Sequence, residues 1–179
     1  MIMKKLIALM MVLVMAVSMA ACGEKAPAAA EKTPLEGTME ENVLKVMEIA
    51  PVEFMGGTMP VDLGDTSEDG KWALSYFTGL QSADQVTDVC VYEPMMGSQA
   101  FSLVMVRTAE GADPKAVAEE MKNNIDPIKW ICVGADEVMV AGYSDTVMFI
   151  MLDSQLGLNA QSYVDAFGQV AGADLDFVM

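Results

Sequence analysis

Apolar positions along this chain recur first every three to four residues and later every second one. Val43, Leu44 and Met47 lie at helical spacing, and Thr38 with Glu41 forms a capping box ahead of them. Pro51 stops the element, so a first helix is predicted over 39–50. Residues 53–69 contain Gly56-Gly57, Pro60 and Gly64 and read as loop. Trp72 and Tyr76 are four apart, with Gly79 where a C-terminal cap belongs, which predicts a second helix over 68–77.

The period then changes. Residues 85–92 and 99–108 are rich in Val, Phe and Tyr and read as strands. In the second, Phe101, Leu103 and Met105 fall on one face and Ser102 on the other. Residues 93–98, with Pro94 and Gly97, join the two as a hairpin loop. Asp113-Pro114 is an N-cap with proline at the first helical position, and Val117, Met121 and Ile125 follow at spacing four. That helix should end near Asn124. Residues 128–133 are apolar and irregular and read as a short strand. Residues 137–143 and 146–152 form a second hairpin around Ser144-Asp145, and Asn159 caps a last helix in which Tyr163 and Phe167 are four apart.

The order predicts an α+β fold with a β-β-α-β-β-α core. The economical packing is a single mixed or antiparallel four-stranded sheet with helices mainly on one face. Residues 147–152 are apolar at every position, which predicts a central strand covered on both faces.

The first residues carry a different pattern. Lys4 and Lys5 form a basic head, 6–17 is an uncharged apolar run, and Ser18 to Ala21 leads into Cys22. These are the parts of a secretory signal, and the apolar stretch is shorter than the ~20 residues that span a bilayer. With its cysteine directly after Ala20-Ala21, the chain resembles bacterial lipoproteins, although Met19 stands where Leu is common. The resemblance implies cleavage before Cys22, which becomes the lipidated N-terminus. It implies a diacylglyceryl group with palmitate-type chains on the sulfur, and the outer face of the cell membrane as location. More than one acyl chain is needed for stable attachment. The expected organisation is a signal peptide over 1–21, the lipidated cysteine and a flexible tether over 22–38, and one domain over 39–179. The tether reading rests on residues 23–34, whose Ala, Pro, Glu and Lys cannot bury enough surface to offset ordering entropy.

The lipobox, the two hairpins and residues 113–153, including Val140 to Tyr143, also resemble a family of small Gram-positive lipoproteins with a domain of unknown function. That resemblance implies a fold and a location, and no activity or site residues.

Charge narrows the partners. All 26 acidic residues and eight of the ten basic ones follow Cys22, so the mature side chains sum to −18. Such a charge argues against nucleic acid and anionic surfaces. The chain has no histidine, which excludes Ser-His-Asp and Cys-His catalysis. Arg107 is the only arginine, so no Arg cluster exists for phosphate. No G-x-S-x-G, P-loop, G-x-G-x-x-G or C-x-x-C occurs. Cys90 and Cys132 read as two buried thiols or one disulfide.

Asp62, Asp65, Glu68 and Asp69 are the weak metal candidates, since hard cations take several oxygens from a flexible loop. Their spacing does not match an EF-hand. Met95-Met96, in the predicted hairpin loop, offers soft thioethers or an apolar partner contact. The sequence implies no cofactor and assigns no catalytic residue. The expectation is a lipid-anchored extracytoplasmic module that binds without catalysis. It would be held to the membrane through Cys22 and engage a protein or other cell-envelope partner. The rival expectations are a histidine-independent carboxylate enzyme and an acidic divalent-cation-binding lipoprotein.

Overall fold

The structure is a computed structural model that describes residues 32–179. The expected signal peptide, Cys22 and the expected tether as far as residue 31 lie outside the described residues. The elements are α1 (Met39–Ile49), β1 (Gly56–Pro60), α2 (Glu68–Thr78), β2 (Val86–Pro94) and β3 (Phe101–Thr108). After them come α3 (Pro114–Asn124), β4 (Glu137–Tyr143), β5 (Thr146–Leu152), a 3₁₀ turn (Ser154–Leu156), α4 (Ala160–Ala171) and β6 (Phe177–Val178).

The α+β class holds. The predicted caps appear where local chemistry places them. Thr38 and Glu41 close the reciprocal capping box of α1. Asp113 caps α3 ahead of Pro114, and Asn159 caps α4. Gly79 ends α2 at φ 78°, a left-handed conformation that glycine adopts without steric cost. A β-carbon there would also stand 2.7 Å from the Met121 carbonyl oxygen.

The sheet departs from expectation. It has six strands rather than four, in the order β1-β2-β3-β5-β4-β6, with every neighbouring pair antiparallel. β1 lies in the stretch read as loop. Gly, Gly and Pro give it little strand propensity, and its pairing comes from β2 at an edge that tolerates Pro60. β6 has two residues, too few for any period to show. Phe177 of β6 lies over Gly142 of β4, where a β-carbon would meet the ring at 2.2 Å. Residues 128–133, expected as a short strand, are turns and bends instead.

Helices cover both faces, not mainly one. α1 and α4 bring Met39, Val43, Tyr163 and Phe167 onto Phe101, Leu103, Met105, Met148 and Ile150. α2 and α3 bring Leu74, Val117 and Met121 onto Val104, Val106, Phe149 and Met151. The alternation in β3 was misleading because Val104 and Val106 are as apolar as their neighbours, and Ser102 is itself buried. β5 is buried at all seven positions, the central strand its composition implied. It stands between β3 and β4, which therefore run parallel two places apart, with α3 connecting them.

The last part of the expected tether is packed on the domain. Leu35 is buried, and its carbonyl accepts a hydrogen bond from Arg107 Nη2 at 2.6 Å. Lys32 pairs with Asp176 at 2.8 Å and lies over the Tyr143 ring, and its carbonyl accepts from Ser144 Oγ at 3.0 Å. Residues 32–35 thus bind the end of the sheet where Ser144-Asp145 turns.

Candidate functional site

The acidic loop is occupied with local structure. Asp62 accepts from the Gly64 N–H at 2.9 Å, and Asp65 accepts from the Ser67 N–H at the same distance. Those Ser67 hydrogen bonds hold the Asp65 carboxyl below its ordinary range. Glu68 pairs with Lys71 at 3.1 Å, and both Glu68 and Asp69 lie in the first turn of α2, where negative charge favours the helix dipole. Asp62 and Asp65 border a cleft of about 250 Å³ together with Lys71, Gln81 and Asp84. Among the described residues, no three Cys, Asp or Glu side chains converge tightly enough to hold a metal ion.

Other carboxylates are used the same way. Asp88 accepts from the Met39 N–H at the start of α1, and Glu137 from the Ala160 N–H at the start of α4, each at 2.7 Å. Asp136 accepts from the Ser154 N–H and hydroxyl at 2.7 and 2.6 Å, and its carboxyl is held below the ordinary range by them. These acids satisfy helix and turn donors that would otherwise be orphaned.

The two cysteines are neither a disulfide nor a buried pair. Cys90 is fully buried on β2, and desolvation, helped by nearby Glu40, pushes its thiol up to about 12. Cys132 is exposed, at φ 63°, and both are free thiols. The apolar run around Cys132 had implied burial, but the loop turns that run outward.

The feature that stands out is the opposite end of the sheet from Lys32. Three segments meet there: the entry to β1, the β2–β3 loop and the loop over residues 125–136. The Met95 N–H donates to the Met55 carbonyl at 2.9 Å, and the Ile131 N–H donates to the Gly97 carbonyl at 3.0 Å. The side chains they carry face solvent: Met55 is 77% exposed, Met95 73%, Met96 62%, Ile128 69% and Ile131 74%. Single exposed apolar residues need no explanation, but five on three joined loops form a patch.

One buried cation fastens this apex. The Lys129 side chain is only 2% exposed, and its ammonium lies 2.6 Å from Glu93 Oε1. It also stands 4.7 Å from the Tyr76 ring centre and 5.3 Å from those of Phe77 and Trp130. The Tyr76 carbonyl accepts from it at 3.4 Å. Desolvation pulls the Lys129 pKa below the ordinary lysine value, opposed by the charges of Glu93 and Asp126. Trp72, itself exposed, stacks on Tyr76 at 4.6 Å. Ion pair and rings together bind the 125–136 loop to α2 and β2, and Ile131 meets the β2–β3 loop at Gly97.

Sequence reasoning found Met95-Met96 and missed the rest. The signal available was a lysine inside an apolar run, between Ile128 and Trp130-Ile131. No family, curated protein or solved structure matches this chain.

Proposed function

We propose that this chain is a lipid-anchored, extracytoplasmic module that binds without catalysis. It is attached to the cell membrane through lipid on Cys22, and its contact surface is the apex of Met55, Met95, Met96, Ile128 and Ile131. The observation that carries this reading is the convergence of those five exposed side chains on three hydrogen-bonded loops. Position supports it as well. The chain enters the domain beside Ser144, and the eight residues of β3 separate that end from the apex by roughly 26 Å at about 3.3 Å per residue. A module tethered from the Ser144 end carries its apolar apex at the far end.

The partner is a protein of the cell envelope with an apolar contact centre and a cationic rim. Exposed Glu53 and Asp126 flank the apex, and the mature chain carries −18, so a cationic rim is the complementary one. The carboxylate-enzyme and divalent-cation readings have less support, since Asp62, Asp65 and Asp136 accept from backbone N–H groups and Glu68 pairs with Lys71. The test is a double substitution, Met96→Asp with Ile131→Asp, in the membrane-attached chain. Both positions are exposed, so stability should change by no more than about 0.5 kcal/mol each. Loss of the chemically cross-linked complex with an unchanged melting temperature supports the reading. A complex that survives the double substitution overturns it.

A further inference from the structure

We propose that the free edge of β1 takes up an extended, lysine-bearing segment of a partner protein as an added strand. The inference goes beyond the apex reading and does not rest on it: the edge is a second surface, which meets the apex at Met55.

The register shows which backbone groups are free. The Met95 N–H donates to the Met55 carbonyl at one end of the β1–β2 pairing, and the Val61 N–H donates to the Val89 carbonyl at the other. Hydrogen-bonded pairs alternate along an antiparallel ladder, so Gly57 and Met59 also face β2. Gly56, Thr58 and Pro60 therefore point their backbone groups away from the sheet. β1 is the end strand, and among the described residues nothing hydrogen-bonds to the outward N–H and C=O of Gly56 and Thr58. Sheet edges are usually blunted by charged side chains or proline. β1 carries no charge, and Pro60 blunts only one end of it.

Room lies beside that edge. Met59 shares a face with Val91, the face that α2 covers. Between Met59 and the α2 residues Ala73 and Phe77 is a cleft of about 190 Å³, bordered by Asp62, Asp65 and Asp69. A β-carbon on Gly57 would meet nothing within 4 Å, so the same face is open there as well. A strand added beside β1 stands every second side chain on this face, about 4.5–5.5 Å from Met59 at the β-carbons. Backbone pairing then supplies affinity, and the cleft reads the side chain.

The lining selects a cation. An apolar floor with a carboxylate rim suits lysine, whose methylene stem buries while its ammonium stays at the polar edge. Asp62 and Asp65 each use one oxygen on their own turns, and a carboxylate keeps further acceptor sites. On the other face of β1, Glu40 lies 2.7 Å from Thr58 Oγ1, so acids flank the edge on both sides. A second copy of this chain is the poorer occupant. Two such edges would bring their acids together, and each mature chain carries −18.

The test adds a short synthetic peptide of alternating valine and lysine to the full mature chain in detergent and follows amide hydrogen exchange by NMR. The Gly56 and Thr58 amides should become protected, while those of Gly57 and Met59, already bonded to β2, should change little. The same peptide with glutamate in place of lysine should give no protection. Thr58→Pro removes the outward N–H and no bond to β2, at an edge position where proline is tolerated. Affinity for the lysine peptide should then fall by up to roughly tenfold. Asp62→Asn with Asp69→Asn leaves the backbone intact and should weaken the lysine peptide by a similar factor. Absence of protection at Gly56 and Thr58, equal protection by the glutamate peptide, or unchanged affinity in both variants overturns the proposal. Protection that rises with protein concentration alone assigns the edge to a second copy and also overturns it. Met96→Asp with Ile131→Asp leaves the edge intact, so the lysine peptide should still protect Gly56 and Thr58 in that variant. Loss of the envelope-partner complex with retention of the peptide separates the two surfaces, and a wild-type chain that ignores the peptide leaves the apex reading standing.

Discussion

Lys129 Nζ lies 2.6 Å from Glu93 Oε1, with both side chains withdrawn from solvent. Removing one member of a buried pair leaves the other charge uncompensated, which costs about 3–5 kcal/mol. Lys129→Met should therefore lower the unfolding free energy by that amount, read from the shift of the denaturation midpoint. Replacing both, Lys129→Met with Glu93→Leu, should recover most of the loss, because two apolar side chains leave no stranded charge. The double-mutant cycle measures the coupling. A Lys129→Met variant as stable as wild type would mean that the pair does not fasten the 125–136 loop.

Alkaline pH should loosen the fold through two buried acids. Cys90 and Tyr163 are each pushed up to about 12 by desolvation, from 9.0 and 10.0. Between those values and 12, the unfolded chain has lost a proton that the folded chain keeps. Stability is then fully present below pH 9 and falls as pH rises, by up to about 1.4 kcal/mol per pH unit for each group. Chemical denaturation at stepped pH should show the decline starting near pH 9 in wild type. In Cys90→Val it should start about one unit later, where Tyr163 begins to titrate. An unchanged onset would show that Cys90 does not contribute.

Residues 32–37 should stabilise the domain. Leu35 is buried, and the Lys32 and Leu35 carbonyls accept from Ser144 and Arg107. A chain starting at Thr38 loses these contacts, each hydrogen bond contributing about 0.5–1.5 kcal/mol. Its melting temperature should drop by several degrees, at roughly 2–4 °C per kcal/mol for a domain of this size. A chain starting at Lys32 should match the full domain. Equal melting temperatures for the two would restore a tether that ends at Thr38.

What could be read from the sequence was local. Thr38, Asp113, Asn159 and Gly79 bound their helices through side chains or backbone freedom that act within a few residues. The Ser144-Asp145 hairpin was legible for the same reason. β1 and β6 were not, because Gly56–Pro60 and Phe177–Val178 become strands only when β2 and β4 offer them partners. The two-sided covering of the sheet hid behind one polar residue, Ser102. Exposure at the apex depends on which way three loops turn, so Ile131 and Cys132 looked like core. Lys129 gave the only hint, since a lysine within an apolar run needs an internal partner.

The proposed lipid attachment rests on the resemblance of the residues up to Cys22 to a lipobox. Cys22→Ala should block lipidation and leave the chain uncleaved or soluble. Membrane fractionation with N-terminal analysis of the mature chain checks this. A variant that stays with membranes and has the wild-type mature N-terminus would show that Cys22 is not the anchor.

The most direct measurement is site-specific photo-cross-linking in intact cells. A photoreactive residue is placed at Met96 or Ile131 of the apex, or at Leu44, an exposed apolar position on α1. Met96 and Ile131 should give the same discrete adduct, Leu44 should not give it, and the adduct should weaken at high salt as the acidic rim is screened. An adduct of equal strength from Leu44, or none from either apex position, would contradict a binding module that works through its apex.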